Sequence, residues 1–331
     1  MDGEAAKRLI CLSLGIDDID KVFIDFQDNP IGSASIGQVH KAKLKINGSE
    51  VAIKLKSPGA ENLFQTDVRT AKSFCELFVP EQVALFDEVE KQFLTEFDYE
   101  EEAKQATQIK FNMRKFKQVV VPLVYQELCS RDVLTMEFLK GPKLVDGIRE
   151  NARRYAATQG QTLAELERET KESFRKQGLP PVYNGPSATI LSLYRTLILV
   201  HDYIFNVPIW TLNKTMLPLV KVLSLGSMVY PEIQYQESFI PLNSSFIMET
   251  LLEVHAHQLL VDGYFNADCH PGNFLLLPDG RIGMIDFGQI KKLRQEECVL
   301  LSKIVVAIAS KDRENIVRLF KETGYSSKYM V

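Results

Sequence analysis

Between Asn266 and Gly288 the chain has few ways to fold. Asn266-Ala267-Asp268-Cys269-His270-Pro271-Gly272-Asn273 has the composition of a tight loop, and Phe274–Leu277 that of a short strand. Pro278-Asp279-Gly280 is a turn signal, Arg281–Ile285 a second strand, and Asp286-Phe287-Gly288 follows directly. An Asp and an Asn five residues apart are thus followed, one hairpin later, by a second Asp.

This set has a chemical use. Mg²⁺ prefers hard oxygen donors, which an Asn and a carboxylate supply, while a further carboxylate can position or deprotonate an attacking hydroxyl. The interval matches the kinase pattern D-x-x-x-x-N followed by D-F-G. The three-residue string is weak by itself; both parts at this spacing are not.

The upstream sequence supplies what such a site needs. Gln38–Ile46 and Glu50–Lys56 alternate like strands around Asn47-Gly48, a strong hairpin signal. Val51-Ala52-Ile53-Lys54 lies on the second strand, where a phosphate-holding lysine stands in kinases, although a strand lysine alone is as readily a surface residue. Gly32-Ser33-Ala34-Ser35-Ile36-Gly37 precedes it; its small side chains let backbone N–H groups approach phosphate.

Residues 61–78 and 81–116 have helical spacing, and the second carries the acidic run Glu96-Phe97-Asp98-Tyr99-Glu100-Glu101-Glu102. On a regular helix Asp98 and Glu102 share a face and need a nearby cation, for which Lys54 is the candidate, while Glu96 faces elsewhere. The competing reading is a solvated acidic helix. Strands are expected at Val119–Val121, Val124–Glu127 and Val133–Phe138, and the last ends in Met136-Glu137-Phe138, a hinge whose backbone would meet adenine.

Composition excludes some classes. The 331 residues are 45% apolar and 25% charged with a net charge of −4, an ordinary globular balance that argues against a nucleic-acid binder. Five scattered cysteines without a C-x-x-C pair fit free thiols in a reducing compartment and offer no zinc spacing. The first residues lack the apolar core of a signal peptide, and Pro180, Pro181 and Pro186 interrupt the longest uncharged run.

The expected organisation is α+β. One or two short helices cover residues 4–26; residues 1–29 form an N-terminal helical extension, 30–141 an antiparallel-sheet lobe, and 142–331 a mainly helical lobe with a helical insertion at about 147–250. That insertion carries a charged helical portion, a Pro/Gly break and an apolar stretch, Tyr203 to Tyr230, either packing on the core or offering a partner or membrane surface.

The order of these motifs resembles the UbiB/aarF-domain family of atypical kinases, associated with coenzyme Q, in the two-lobed protein-kinase-like fold. The resemblance rests on PIGSASIGQVHKA (30–42), VAIKLKSPG (51–59), LTEFDYEEEA (94–103), MEFLKG (136–141), NADCHPGNF (266–274) and IDFG (285–288). It implies that Ser33, Ala34, Ser35, Ile36 and Gly37 form the family's alanine-rich nucleotide loop. Lys54 would be the nucleotide lysine, Glu102 its helix partner, Asp268 the catalytic-loop aspartate, and Asn273 and Asp286 the metal ligands. Glu96 and Asp98 would form the family's E-x-D motif, and Met136, Glu137 and Phe138 the hinge.

Two departures stand out. The family's K-x-G-Q motif, expected upstream, is absent from the sequence, so either residues 1–29 are a truncated extension or this member lacks the motif. Asn266 and Cys269 replace the usual His and Pro of the catalytic loop.

The resemblance further implies ATP and Mg²⁺ as cofactors and a role supporting ubiquinone or other isoprenoid-quinone biosynthesis. It suggests a mitochondrion or plastid, with a membrane surface, lipid or quinone-biosynthesis proteins as further partners. A small-molecule kinase of the aminoglycoside/choline type and a non-catalytic ATP-binding scaffold are the alternatives. Phosphorylation of protein substrates fits less well, since no A-P-E follows Gly288.

Overall fold

In the computed structural model the chain is described for residues 1–33, 36–178, 188–224, 230–238 and 242–324. Ala34 and Ser35 of the small-residue loop, and most of the Pro/Gly break expected after Gly178, lie outside the described residues. The chain divides into two units, residues 1–144 with 250–331, and residues 145–249.

The first unit is built on a five-stranded antiparallel sheet. β3 (Gly37–Leu44) and β4 (Glu50–Lys56) form the expected hairpin, whose turn holds Gly48 at a φ of 71°. β6 (Val133–Glu137) pairs with the far side of β4; β1 (Phe23–Ile24) and β2 (Gly32–Ser33) pair with β3.

Alternation along β4 sorts its side chains. Val51, Ile53 and Leu55 are buried in one core, with Ala6 and Ile10 of helix α1 (Gly3–Leu14), Phe23 and Val133. Ala52 and Lys54 therefore face the other side of the sheet, where the cavity described below lies.

Residues 4–26 are accordingly not all helical: α1 ends at a left-handed Gly15, and Phe23–Ile24 joins the sheet. The helical spacing of Phe23 and Phe26 with the preceding residues matched the 3.6 period, but Phe23 reaches the core from a strand.

The long helix expected at 81–116 is broken. α2 (Ala60–Phe78) and α3 (Val83–Leu94) are followed by a 3₁₀ turn, Thr95–Phe97, before α4 (Tyr99–Met113) begins. The break falls at Asp98, whose carboxylate accepts the N–H groups of Glu100 and Glu101 and caps α4. The expected strand at 124–127 is likewise a bridge at Val124 followed by a 3₁₀ turn, Gln126–Leu128. β5 (Val119–Val120) leaves the antiparallel sheet to pair in parallel with β9 (Ile282–Met284).

The remainder of this unit carries the Asn266–Gly288 motif. β7 (Tyr264–Asn266) precedes the loop, β8 (Phe274–Leu276) and β9 form the hairpin, and β10 (Ile290–Lys292) returns to pair with β7. Helices α10 (Gln295–Ala309) and α11 (Arg313–Glu322) follow. The β7–β10 pair was not anticipated; strands of three residues are too short to display a period.

The second unit is helical where described. It comprises most of α5 (Leu144–Thr158), α6 (Leu163–Gln177), α7 (Ala188–Thr211), α8 (Leu217–Leu223) and the start of α9 (Ser244–His257).

Candidate active site

A cavity of about 460 Å³ opens within the first unit, in the size range of small-molecule sites. Its walls come from five places distant in sequence: the small-residue loop (Ser33, Ile36, Gly37), β4 (Ala52, Lys54), the α4 region (Glu96, Tyr99, Glu102), the end of β6 (Met136, Glu137, Phe138) and the hairpin region (Asn273, Asp286). All the sequence-predicted positions among these converge on one space.

At its centre is an ion pair. Lys54 Nζ lies 2.9 Å and 3.0 Å from the two carboxylate oxygens of Glu102, and 3.5 Å from Asp286 Oδ1. Burial works against the ammonium charge, but Glu102 and Asp286 outweigh it and hold the Lys54 pKa above its ordinary value. Burial pushes the Glu102 carboxyl up and Lys54 pulls it back.

The sequence places Glu102 there by helix period. Tyr99, Glu102, Ala103, Ala106, Ile109 and Met113 form the buried stripe of α4, so one acidic residue occupies a core position. Lys54 is thus the cation for Glu102 and Asp286. Asp98, expected to share it, instead caps the helix, because the chain must break there to start α4.

Glu96, expected on another face of a regular helix, lines the cavity because the 3₁₀ turn rotates it inward. Its carboxylate accepts a hydrogen bond from Gln289, one residue beyond the Asp286-Phe287-Gly288 segment. Burial pushes its pKa up, with the charges of Asp286 and Asp268 adding to that and the Gln289 hydrogen bond opposing it.

The hairpin motif is held by a compact set of hydrogen bonds. Asn273 Nδ2 donates to Asp268 Oδ2 at 2.8 Å, and the His270 N–H donates to Asp268 Oδ1 at 3.2 Å. The Asn273 carbonyl accepts the N–H of Ile285, and the Phe287 N–H donates to Glu102 Oε1 at 3.2 Å. Asp268 is half-buried behind Asn273 rather than on the cavity wall.

Two contributors were missed as functional residues. Asn266, noted only as a departure from His, is buried; its Nδ2 donates to the Asp286 carbonyl at 2.9 Å and its Oδ1 accepts the Asp268 N–H at 2.9 Å. It fastens the two metal-type segments together, and its place one residue before the loop was the available signal. Tyr99 is the other. Its ring lies 5.0 Å below Lys54 Nζ, and its hydroxyl is buried without a hydrogen-bond partner among the described residues. A Cβ on Gly37 would come within 2.5 Å of that hydroxyl and 2.6 Å of the Leu55 carbonyl, so the loop can close over Tyr99 only with glycine there.

The hinge is tied to both sides. The Glu137 N–H donates to Leu123 O and the Phe138 N–H to Glu50 O, so these two donors are spent within the protein. Gly141 lies against β8, where a Cβ would meet the Leu276 carbonyl at 2.3 Å.

The donor chemistry fits Mg²⁺. Asn273 uses its amide N–H on Asp268, which turns its oxygen to acceptor use, and Asp286 adds a carboxylate beside a buried cation. One or two such ligands, with phosphate oxygens completing the shell, are what Mg²⁺ takes. No group of three or more His, Cys, Asp or Glu side chains is arranged for a metal among the described residues.

Known proteins resemble this chain in sequence and in fold. The model of the ABC1 atypical kinase-like domain matches residues 1–178 and 226–320. The chain belongs to the ABC1 atypical kinase-like family. Among its relatives, the Arabidopsis thaliana chloroplastic protein ACTIVITY OF BC1 COMPLEX KINASE 7 is 36% identical over 148 residues, which cover 43% of this chain and 21% of that protein. The probable protein kinase UbiB of Aeromonas hydrophila is 37% identical over 152 residues, 44% of this chain and 28% of that one. The Arabidopsis chloroplastic kinase 3 matches 95% of the chain at 24% identity, again over only 33% of its own length. The chain therefore spans a fifth to a third of these curated relatives. A solved structure, the Rv3197–erythromycin complex from Mycobacterium tuberculosis, shares the fold with a TM-score of 0.55 at 21% identity, covering 99% of this chain and 62% of that one.

Proposed function

We propose that the chain is a Mg·ATP-binding phosphotransferase or ATPase of the ABC1 atypical kinase type. The observation that carries this is the buried Lys54–Glu102 pair on the wall of a cavity that also presents Asp286 and Asn273. Lys54 would hold the α- and β-phosphates, and Glu102 fixes its position. Ser33, Ile36 and Gly37, with the neighbouring loop, would cover the phosphates through backbone N–H groups. Met136 would pack against the base, with polar contacts from the Glu137 carbonyl onward, since the N–H groups of residues 137 and 138 are already bonded.

When bound, Mg·ATP supplies the transferable γ-phosphoryl group with part of its charge neutralised. Asn273 and Asp286 would hold the metal. Asp268 would accept a proton from the attacking hydroxyl, its orientation set by Asn273 and the His270 N–H. Glu96 borders the same cavity. The names of the relatives, UbiB and chloroplastic BC1-complex kinases, support a role in isoprenoid-quinone metabolism and, of the two organelles, the plastid.

Phosphate release from ATP by the purified chain tests this. Asp268→Asn is expected to lower the rate by at least about a hundredfold while leaving nucleotide affinity nearly unchanged. Release that persists in both Asp268→Asn and Asp286→Asn would rule out the assigned chemistry.

A further inference from the structure

The second unit contains a helix turned inside out. α7 runs through a π turn at Leu212–Met216 into α8, giving a continuous rod about 50 Å long at 1.5 Å per residue. Its more enclosed face holds Ile198, Asp202, Asn206, Ile209 and Asn213 at spacings of three and four. Its exposed positions include Leu193, Leu197, Val200, Tyr203, Ile204 and Trp210, with Tyr203 72% and Trp210 54% exposed. Three polar side chains, Asp202, Asn206 and Asn213, thus share the enclosed face with Ile198 and Ile209, while most of the outward side chains are apolar, unlike an ordinary surface helix.

The inward polar groups have a defined task. Asn206 donates to the Gln236 carbonyl at 2.9 Å and accepts its N–H at 2.7 Å; Asn213 does the same with Ile233 at 2.8 Å and 2.9 Å. Asp202 accepts from the Ser238 N–H at 2.7 Å and from its hydroxyl. Seven helical residues and three extended residues each advance about 10 Å, so the segment 230–238 lies along the helix in register. This strap carries Glu232, Gln234, Gln236 and Glu237 beside the exposed Tyr230, Ile233 and Tyr235, so the acidic side of the pair is the strap and the more apolar side is the outer helix.

We infer that this helix and its strap form a docking element that lies in the surface of an anionic lipid bilayer. Three observations choose lipid over a second protein. The apolar side chains occupy roughly two thirds of the circumference at about 100° per residue, far more than the stripe of about 100° that one packed neighbour covers. From Tyr203 to Pro231 the sequence has no Asp or Glu, and its two charged residues, Lys214 and Lys221, are both cationic and exposed; Lys214 lies 3.9 Å from Glu232 of the strap, a loose exposed pair that leaves its charge open to acidic headgroups. The main-chain groups of Ile233 and Gln236 are satisfied by Asn213 and Asn206, so those groups are not left open at the border of the apolar face. No helix among the described residues is long and apolar enough to cross a membrane, so the element would lie in the interface rather than span it. Its helix, though not the strap, lies in the stretch between residues 178 and 226 that the family model does not match.

Trp210 is the chain's single tryptophan and a built-in probe. The full chain is mixed with phosphatidylcholine vesicles, with or without about a third phosphatidylserine, and with the same vesicles made from brominated lipid. The expected result is a blue shift of Trp210 emission on the anionic vesicles and quenching by bromine. The triple change Tyr203→Ser, Ile204→Ser, Val207→Ser should lower partitioning by about a hundredfold or more. Lys214→Gln and Lys221→Gln should each lower it by about fivefold on anionic vesicles only. Unshifted and unquenched emission of the wild-type chain on anionic vesicles would overturn the inference. So would a blue shift that appears with protein concentration alone and ignores lipid, which would mark the face as a contact between copies.

Discussion

The two units treat polar groups in opposite ways. In the first, an ion pair, Lys54–Glu102, is buried beneath a cavity and the apolar residues are inside, against α1 and the sheet. In the second, amides and a carboxylate are turned inward to bond a strap, and the apolar residues of α7 are outside. Burying charge in the first unit has no structural necessity, since a well-packed apolar pair is commonly as stable or more so. Exposing apolar area in the second costs solubility and adds nothing to its own core. Each arrangement is best understood through what it would bind: a polyanion in one case, an apolar medium in the other.

The largest effect should come from dividing the buried pair. Glu102→Ala leaves Lys54 enclosed without its main counter-charge and should cost about 3–5 kcal/mol, read from the denaturation midpoint. Lys54→Met with Glu102→Leu should recover most of that loss yet bind no ATP, separating the pair's functional use from stability. A double variant no more stable than Glu102→Ala would mean that the pair is needed for folding.

Gly37→Ala should be next, at about 1–3 kcal/mol, because its Cβ would meet both the Tyr99 hydroxyl and the Leu55 carbonyl. In the second unit, Asn213→Ala removes two bonds to Ile233 and should cost about 1–3 kcal/mol. The comparison between units is sharpened if that cost grows in detergent, where water no longer competes for the freed main-chain groups.

The smallest effect concerns pH. The folded state raises the Glu96 pKa, so that state binds its proton more tightly than the unfolded chain does. This carboxyl therefore favours folding below its ordinary value of 4.5, and that advantage is lost as pH rises through the raised one. Glu96→Gln should flatten the stability profile in that window and leave the protein slightly more stable at neutral pH. A steeper profile in the variant would contradict the assigned cause.

Much of the first unit was legible because its signals are local. Asn47-Gly48 specified a hairpin, and the strand-like run Glu50–Lys56 placed Lys54 on its second strand. What could not be read was geometry set by a single break. The period of residues 81–116 continues through Asp98 as if the helix did, and only the cap shows that Asp98 is structural while Glu96 turns toward the cavity. Asn266 was invisible for a different reason: one of its two hydrogen bonds is local, to Asp268, and the other reaches Asp286 twenty residues on, which no periodicity records. The inverted face of α7 was hidden because a helix apolar around most of its circumference has no distinct stripe to follow.

Binding of Mg·ATP is the central claim, and a thermal-unfolding series tests it most directly. At a ligand concentration about 100 times its dissociation constant, the wild-type chain should gain about 2.7 kcal/mol of stability. That gain should require Mg²⁺ and shrink sharply in Asp286→Asn. No shift in the wild type, or an undiminished shift in Asp286→Asn, would contradict the account.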